Sequence, residues 1–174
     1  MSTHATSAGP RQQRVNEDTE ALLRLLAEGG TLGSLMGLGA DDLDALYALG
    51  LGYYGQARYT DAMKVFSRLV SYSHAEPRYL NALASAHQML GHHERAVHYW
   101  GVSQLLDTSD PVPTFHTAQS LLALGLVNEA MEALDLVLRQ CERQQRHGKL
   151  AVRAETLYAL VRSKASAGTA AAEA

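Results

Sequence analysis

The sequence predicts an all-α protein, a solenoid of three helix pairs with helices before the pairs and a capping helix after them. Residues of matching type recur every 34 positions through roughly a hundred residues, as Ala62, Ala96 and Ala130 do. Within each unit, apolar residues recur at the i, i+3, i+4 and i+7 spacing of one helix face. Because one helix pair cannot bury its own apolar face, neighbouring units must stack into a common core.

The repeat register predicts where the helices of each pair cross. Small residues occupy the eighth and twentieth places of every unit, and the twenty-fourth place holds Phe66, Trp100 and Leu134. A period of 34 with this arrangement is the tetratricopeptide pattern, in which two antiparallel helices approach closely at the small residues. The predicted repeat domain is 41–142, divided into units 43–76, 77–110 and 111–142.

The segment before the repeats divides into two parts. Residues 1–15 are mostly polar and are expected to be disordered. In 16–40, Asn16 or Asp18 can cap a first helix, and Thr31 can cap a shorter apolar piece. The apolar residues of these two pieces are Leu22, Leu25, Leu26, Leu32, Leu35 and Met36. Leu32, Leu35 and Met36 would need to be covered by the repeats or by another chain, and together the two pieces offer more apolar surface than capping the solenoid requires.

A last helix, within 143–174, is predicted to cap the other end of the solenoid. Ala154, Leu157 and Val161 share one of its sides. From Ser163 onward the residues are small and polar, and this tail is expected to be frayed. The basic residues of this part favour a solvated face, because nucleic-acid binders usually show a larger excess of base with interleaved aromatic residues.

Composition and charge are those of an ordinary soluble, cytoplasmic protein. Apolar residues make up 47%, charged residues 19%, and the formal net charge is −3. The chain has no run of about 18 apolar residues that would predict a membrane span. Its first residues lack the basic start and apolar core of a signal peptide. The single cysteine excludes an internal disulfide and fits a reducing compartment.

Two sequence features suggest a nucleotide site and a metal site, but the repeat structure explains both more simply. The run from Gly50 to Gly55 matches G-x-G-x-x-G, but it lies inside a helical pattern rather than between a strand and a helix. Six of the eight histidines lie between His74 and His116, without the spacing that brings zinc ligands together. No nucleophile and base can be paired by spacing either. We therefore predict no catalytic residue, no metal site and no cofactor.

A second stripe on the first helix of each unit is the candidate binding surface. Tyr47, Leu51 and Tyr54 lie about a third of a turn away from the packing stripe, to which Leu49 and Tyr53 are assigned. The equivalent residues are Asn81, Ser85, Gln88 and Met89 in the second unit, and Phe115, Gln119 and Leu122 in the third. Inner helices of stacked repeats line the concave side, so this stripe predicts an apolar groove whose amides can pair with an extended peptide. The alternative is that the N-terminal segment covers it.

Four motifs resemble one family more closely than they resemble the general repeat. They are Gly29–Leu35, Leu46–Gly50, Tyr59–Phe66 and Phe115–Ala118. The motifs are similar to those of the class II chaperones of bacterial type III secretion, small tetratricopeptide proteins that hold hydrophobic translocator subunits before export. The resemblance covers about 21–141, and the Gly-Gly-Thr segment and the Phe-His pair lie outside the general repeat consensus.

The resemblance implies a non-catalytic chaperone of the bacterial cytoplasm. Its concave groove, with Tyr59 added to the residues above, would bind an extended apolar segment near the N-terminal end of a translocator. The resemblance also implies a weak homodimer through the N-terminal region, and neither nucleic-acid binding nor insertion into a membrane. The competing hypothesis is a generic tetratricopeptide scaffold or regulatory module for another complex.

Overall fold

The structure, a computed structural model, describes residues 19, 20, 24, 30–144 and 147–172. Within 30–144 and 147–172 the chain forms eight α-helices and no strand. They are α1 (Leu32–Leu35), α2 (Ala40–Gly55), α3 (Tyr59–Tyr72), α4 (Pro77–Met89), α5 (His93–Leu106), α6 (Pro111–Ala123), α7 (Val127–Gln144) and α8 (Gly148–Ala172). The predicted all-α fold class is confirmed. No described helix combines the length and the apolarity that crossing a bilayer requires.

The helices stack in chain order. From α2 to α8 each helix packs against the next one along the chain, and the short α1 packs against α3. The pairs α2–α3, α4–α5 and α6–α7 therefore follow one another as a solenoid, with α8 on its last layer. Two proline residues, Pro77 and Pro111, occupy the first position of α4 and α6, where a missing N–H costs no helical hydrogen bond.

The same turn joins the two helices of every pair. Ala57, Gly91 and Gly125, which are 34 residues apart, all have positive φ angles, of 59°, 74° and 78°. The backbone N–H groups that follow them close the preceding helix by donating to a carbonyl five residues back. These bonds are Arg58 to Tyr53, His92 to His87 and Leu126 to Leu121, at 2.9–3.0 Å. This left-handed helix ending turns the chain back sharply, so the second helix packs against the first.

The helices of a pair cross where a small residue faces a large one. Ala62, Ala96 and Ala130 are fully buried. The large residues at the twenty-fourth place, Phe66, Trp100 and Leu134, are also buried. At Gly50 the approach is closest, because a Cβ built there would lie 2.4 Å from Cε1 of Phe66. Side-chain size at these places thus sets the distance between the helices.

Polar side chains begin the two N-terminal helices. Thr31 and Ser34 cap α1 reciprocally, since each side-chain oxygen accepts a hydrogen bond from the backbone N–H of the other. In α2, Asp42 accepts a hydrogen bond from the Gly39 N–H at 2.9 Å. Asp41 and Asp42 also place negative charge in the first turn, where it favours the helix dipole.

The structure corrects two expectations at the ends of the solenoid. Leu49, assigned to the packing stripe, is 47% exposed. It lies on the first long helix of the solenoid, and no described residue packs over that face. At the other end, α8 continues to Ala172 where a frayed tail was expected from Ser163. Alanine has the highest intrinsic helix propensity, and the tail is rich in it.

His87 is a buried histidine in the middle pair. Its ring stacks on Tyr99, with centroids 5.5 Å apart and planes within 5°. Its Nδ1 lies 3.3 Å from Nδ1 of His92. Burial lowers the pKa of His87, and the neighbouring His92 and Arg95 lower it further. The neutral imidazole is therefore part of the core, as its core-facing place in the repeat predicts.

We expect opposite effects from the same substitution at two glycines of α2. Gly50→Ala should lower the free energy of unfolding by about 1–3 kcal/mol, because the new methyl group meets the Phe66 ring. Gly52→Ala should raise it by up to about 1 kcal/mol, because nothing lies near its Cβ position and alanine favours a helix. Urea denaturation measures both. Equal stability of the two variants would contradict the close crossing at Gly50.

We also expect the fold to lose stability in mild acid. The unfolded chain takes up a proton on His87 near the ordinary pKa of about 6.5, whereas the folded chain resists protonation because its pKa is lowered. The free energy of unfolding should thus be unchanged above that pH and fall as the pH drops towards the folded pKa. His87→Leu, the residue that the third unit has at this place, should make the decrease smaller. Urea denaturation between pH 7.5 and 5 measures the slope, and identical slopes would contradict the assignment.

Candidate peptide-binding groove

A cavity of about 360 Å³ opens across all three helix pairs. Helices α2, α3, α4, α5 and α6 all contribute to its lining. The lining residues are Tyr47, Leu51, Tyr54, Phe66, Arg78, Asn81, Ala82, Ser85, Trp100, Val112 and His116. The volume is within the range of natural ligand pockets, and the mixture of apolar walls with a few polar groups is typical of them. We refer to this cavity as the groove.

Five of the residues predicted from the second stripe come together here. Tyr47, Leu51 and Tyr54 form one wall from α2, and Asn81 and Ser85 contribute from α4. The predicted Tyr59 lies behind this wall, because its ring meets the edge of the Tyr54 ring at a centroid distance of 5.2 Å. Burial raises the pKa of Tyr54, and Tyr59 adds to the effect, so the phenol at this end of the groove is neutral.

Three further predicted residues lie beside the groove rather than in its lining. Gln88, half-buried, and Met89, exposed, follow Ser85 one turn further along the same face of α4. Gln119, half-buried, lies one turn after His116 on α6, and the hydrogen bond that its amide oxygen accepts from that imidazole favours the protonated form. Gln88 and Gln119 extend the polar rim of the groove, and Met89 adds an exposed apolar side chain beside it.

The prediction for Phe115 is wrong, and Leu122 lies in another cavity. Phe115 is only 2% exposed and packs with Ala118 and Leu134. The guanidinium of Arg153 covers its ring at 4.9 Å. Leu122 lines a cavity between α6, α7 and α8. Phe115 and Leu122 differ from their equivalents in the first pair for the same reason. Helix α8 lies against the last pair and covers repeat positions that stay open in the first pair.

Four groove residues, which share two places of the repeat, are not among those predicted from the sequence. Arg78 and Val112 hold the second place of their units, and Ala82 and His116 hold the sixth. On a helix these places adjoin the fifth and ninth places, which had been assigned to the groove. A stripe that also included the second and sixth places of each unit would have contained these four residues. Phe66 and Trp100 were assigned to the core, and the structure shows that they also form the floor of the groove.

Aromatic contacts and one ion pair hold the N-terminal wall. The Tyr47 ring lies 6.0 Å from the Phe66 ring and 5.5 Å from the Tyr79 ring. The Arg78 guanidinium lies over the Tyr47 ring at 5.5 Å and pairs with Asp44 at 2.7 Å. This pair joins the N-terminal parts of α2 and α4. Because Arg78 is half-exposed, the ion pair contributes little to stability, but it fixes the position of the guanidinium at the rim of the groove.

The floor of the groove has hydrogen-bonding capacity that no described residue uses. Oδ1 of Asn81, Nε1 of Trp100 and Nδ1 of His116 are buried and have no hydrogen-bond partner among the described residues. Ser85 donates to the backbone carbonyl of Asn81 at 2.8 Å and keeps its lone pairs available. Both donors and acceptors are therefore present, the combination that a peptide backbone complements.

Nothing in the described part of the chain resembles a metal centre. No group of three or more His, Cys, Asp or Glu side chains converges within 30–144 and 147–172. Arg78 is the charged residue of the groove lining, and it is paired with Asp44 and approached by Glu76 at 3.6 Å. The centre of the groove is thus neutral and largely apolar.

The residues predicted for self-association divide between the described and the undescribed parts of the chain. Leu32, Leu35 and Met36 lie on or just after α1 and are 46–59% exposed. Leu22, Leu25 and Leu26 lie outside the described residues. The described leucines and the methionine form an apolar surface at the N-terminal end of the solenoid, beside the exposed start of α2.

Comparison with known proteins gives one family model and several relatives. The model for the anaphase-promoting complex, cyclosome, subunit 3 matches residues 55–137, which lie within the repeats. Low calcium response locus protein H of Yersinia pestis is 28% identical over 156 residues, which is 88% of this chain and 93% of that protein. The match therefore extends well beyond the repeats themselves.

Several solved structures are similar in both fold and sequence, and two of them bear directly on the groove and the N-terminal end. One is PcrH in complex with the chaperone binding region of PopD, with a TM-score of 0.70 and 32% identity, covering 74% of this chain and 96% of that one. The other is the type III secretion translocator chaperone SycD of Yersinia enterocolitica in an alternative dimer. Its TM-score is 0.69 and its identity 28%, covering 72% of this chain and 96% of that one.

Proposed function

This chain belongs to the family of type III secretion translocator chaperones, and we propose that its groove binds an extended, apolar segment of a translocator. The observation that carries the proposal is the groove itself, which crosses all three helix pairs. It combines an aromatic wall with buried side-chain donors and acceptors that have no hydrogen-bond partner among the described residues and could pair with a peptide backbone. An extended segment can place apolar side chains against Tyr47, Leu51 and Tyr54 while its amides pair with Asn81 and Ser85.

The relatives support a translocator as the partner. PcrH is bound to the chaperone binding region of PopD, and SycD is a translocator chaperone. We also propose, as the sequence resemblance implies, that the bound segment lies near the N-terminal end of the client. Covering an apolar segment removes it from contact with other copies, because exposed apolar surface is what drives association. The client would remain separate and competent for export.

We propose that this activity is non-catalytic and takes place in the bacterial cytoplasm. The relatives are chaperones, which supports the first part. A translocator must be held before it leaves the cell, which supports the second. The groove acts by binding alone, so its contribution is a free energy of association spread over a few anchoring side chains.

The test is binding of synthetic peptides that tile the N-terminal region of a translocator from the same secretion system. We call the peptide that binds most tightly the client peptide. Tyr54→Ala should weaken the binding of the client peptide by roughly 1–3 kcal/mol, because aromatic anchors dominate interfaces. Tyr47→Ala should weaken it similarly and also cost stability, since Tyr47 packs on Phe66 and Tyr79. Isothermal titration and thermal unfolding are measured on the same samples.

The control for these variants is Leu49→Ala. Leu49 lies on the same helix but outside the groove and is exposed, so the client peptide should bind this variant as tightly as it binds the wild type. If Tyr54→Ala binds as the wild type does, the α2 wall is not the binding surface. If none of the tiled peptides binds the wild type, the proposed function is wrong.

We further propose a weak homodimer formed through the N-terminal end of the solenoid. SycD has been solved as a dimer, and this chain has Leu32, Leu35 and Met36 exposed together. Leu22, Leu25 and Leu26, which lie outside the described residues, would add to the interface. Exposed apolar groups of this kind are rare on monomers when they are contiguous.

Deletion of Met1–Gly30 should give a monomer, and the helical content of the repeat domain should be unchanged. The deletion leaves Thr31 and Ser34, so the cap of α1 is kept. Leu35→Glu in the full chain should also shift the equilibrium towards monomer, because it places a charge in the proposed interface. Analytical ultracentrifugation measures both. A truncated chain that still sediments as a dimer would remove the N-terminal helix, with Leu22, Leu25 and Leu26, from the proposed interface.

A further inference from the structure

A continuous line of ring contacts joins the groove to the C-terminal helix. In the groove, the His116 ring stacks on the Trp100 ring at 4.8 Å, with planes within 13°. The edge of the Phe115 ring meets His116 at 5.8 Å. On the far side of Phe115, the Arg153 guanidinium of α8 lies 4.9 Å from the ring centroid. Arg153 is thus one ring away from a side chain that lines the groove.

The surroundings of His116 disfavour a positive charge on its imidazole. Helix α8 contributes the cation of Arg153, and α4 contributes Arg78, whose charge Asp44 and Glu76 already balance. Helix α2 adds the rings of Tyr47 and Tyr54, and α5 adds Trp100. Helix α7 supplies apolar Leu134 and Val137 to the core behind α6. No carboxylate lines the groove among the described residues.

We infer that His116 makes client binding dependent on pH, with the neutral imidazole as the form that accepts a client, and that Arg153 is the positioning residue that maintains this form. The inference rests on the proposed function, because it concerns the same groove. It also gives the C-terminal helix a part in binding beyond that of a cap.

The sign of the effect follows from the burial of His116. Burial lowers the pKa of His116, a hydrogen bond that the imidazole donates to the Gln119 amide oxygen acts in the opposite direction, and Arg153 lowers it again. The indole face of Trp100 favours a cation, but a client that closes the groove would remove the remaining water from the imidazole and so lower the pKa further. Affinity should therefore be constant at high pH and fall, by up to about tenfold per pH unit, below the pKa of the client-free protein.

The chain offers its own probe of this titration. Trp100 is its single tryptophan, and a stacked imidazolium quenches indole fluorescence. A fluorescence titration without client should show a transition below the ordinary histidine pKa of about 6.5. Arg153→Met should move the transition to higher pH, and Arg153→Lys, which keeps the charge, should restore it towards the wild-type position. His116→Gln should remove it. A purely structural role of Arg153 would not move the midpoint in this charge-dependent way.

Binding of the client peptide from the tiling experiment is then measured between pH 7.5 and 5. Circular dichroism at each pH confirms that the protein is folded. We expect wild-type affinity to fall in acid and the affinity of His116→Gln to stay nearly constant. The His116→Gln variant also corrects for carboxylates of the peptide, because the same peptide is used throughout.

The outcomes separate this inference from the proposed function. If the client peptide binds at pH 7.5 with the same pH dependence in wild type and His116→Gln, the inference is wrong and the function remains. Affinity that rises in acid only with His116 present would mean that the client pairs a carboxylate with the imidazolium, and would also overturn it. A midpoint that Arg153→Met leaves unchanged would remove Arg153 from the proposal. If no peptide binds at pH 7.5, both proposals fail.

Discussion

The close crossing of two helices at a small residue is the constraint on which the rest of this structure depends. Each pair places a glycine or alanine of its first helix near a large buried residue of its second, as Gly50 does with Phe66 and Ala84 does with Trp100. A larger residue at either place would push the helices apart. Because the pairs stack on one another, such a displacement would also change the spacing of the next layer and the width of the groove.

Core and groove share residues in this protein. Phe66 and Trp100 fill the helix crossings and also form the groove floor, whereas Tyr54 and Leu51 stand on the wall. Substitutions in the floor therefore affect folding and binding together, and only the wall allows the two to be measured apart. The small residues Ala82 and Ser85, between the aromatic wall and His116, leave the middle of the groove open.

The two ends of the solenoid differ in how far the described residues cover them. At the C-terminal end, α8 packs against α7, buries Ala154 and lays Arg153 over Phe115. At the N-terminal end, the described residues leave Leu49 and the α1 side chains Leu32 and Leu35 exposed. Among the described residues, α8 thus covers the last pair, whereas these apolar side chains at the start of the solenoid stay exposed.

The sequence by itself determined the period, the helix pairs and the residues at each crossing, because these depend on contacts within one 34-residue unit or between adjacent units. It also located the α2 wall and the amides of α4, since helical spacing places Tyr47, Leu51 and Tyr54 on one face. Only the tertiary structure decided which equivalent places stay open. Phe115 holds the same place as Tyr47, yet α8 covers it, and Leu49 lies in a packing position that no described residue covers. Repeat register is a local property, whereas burial depends on the neighbour that packs on each layer.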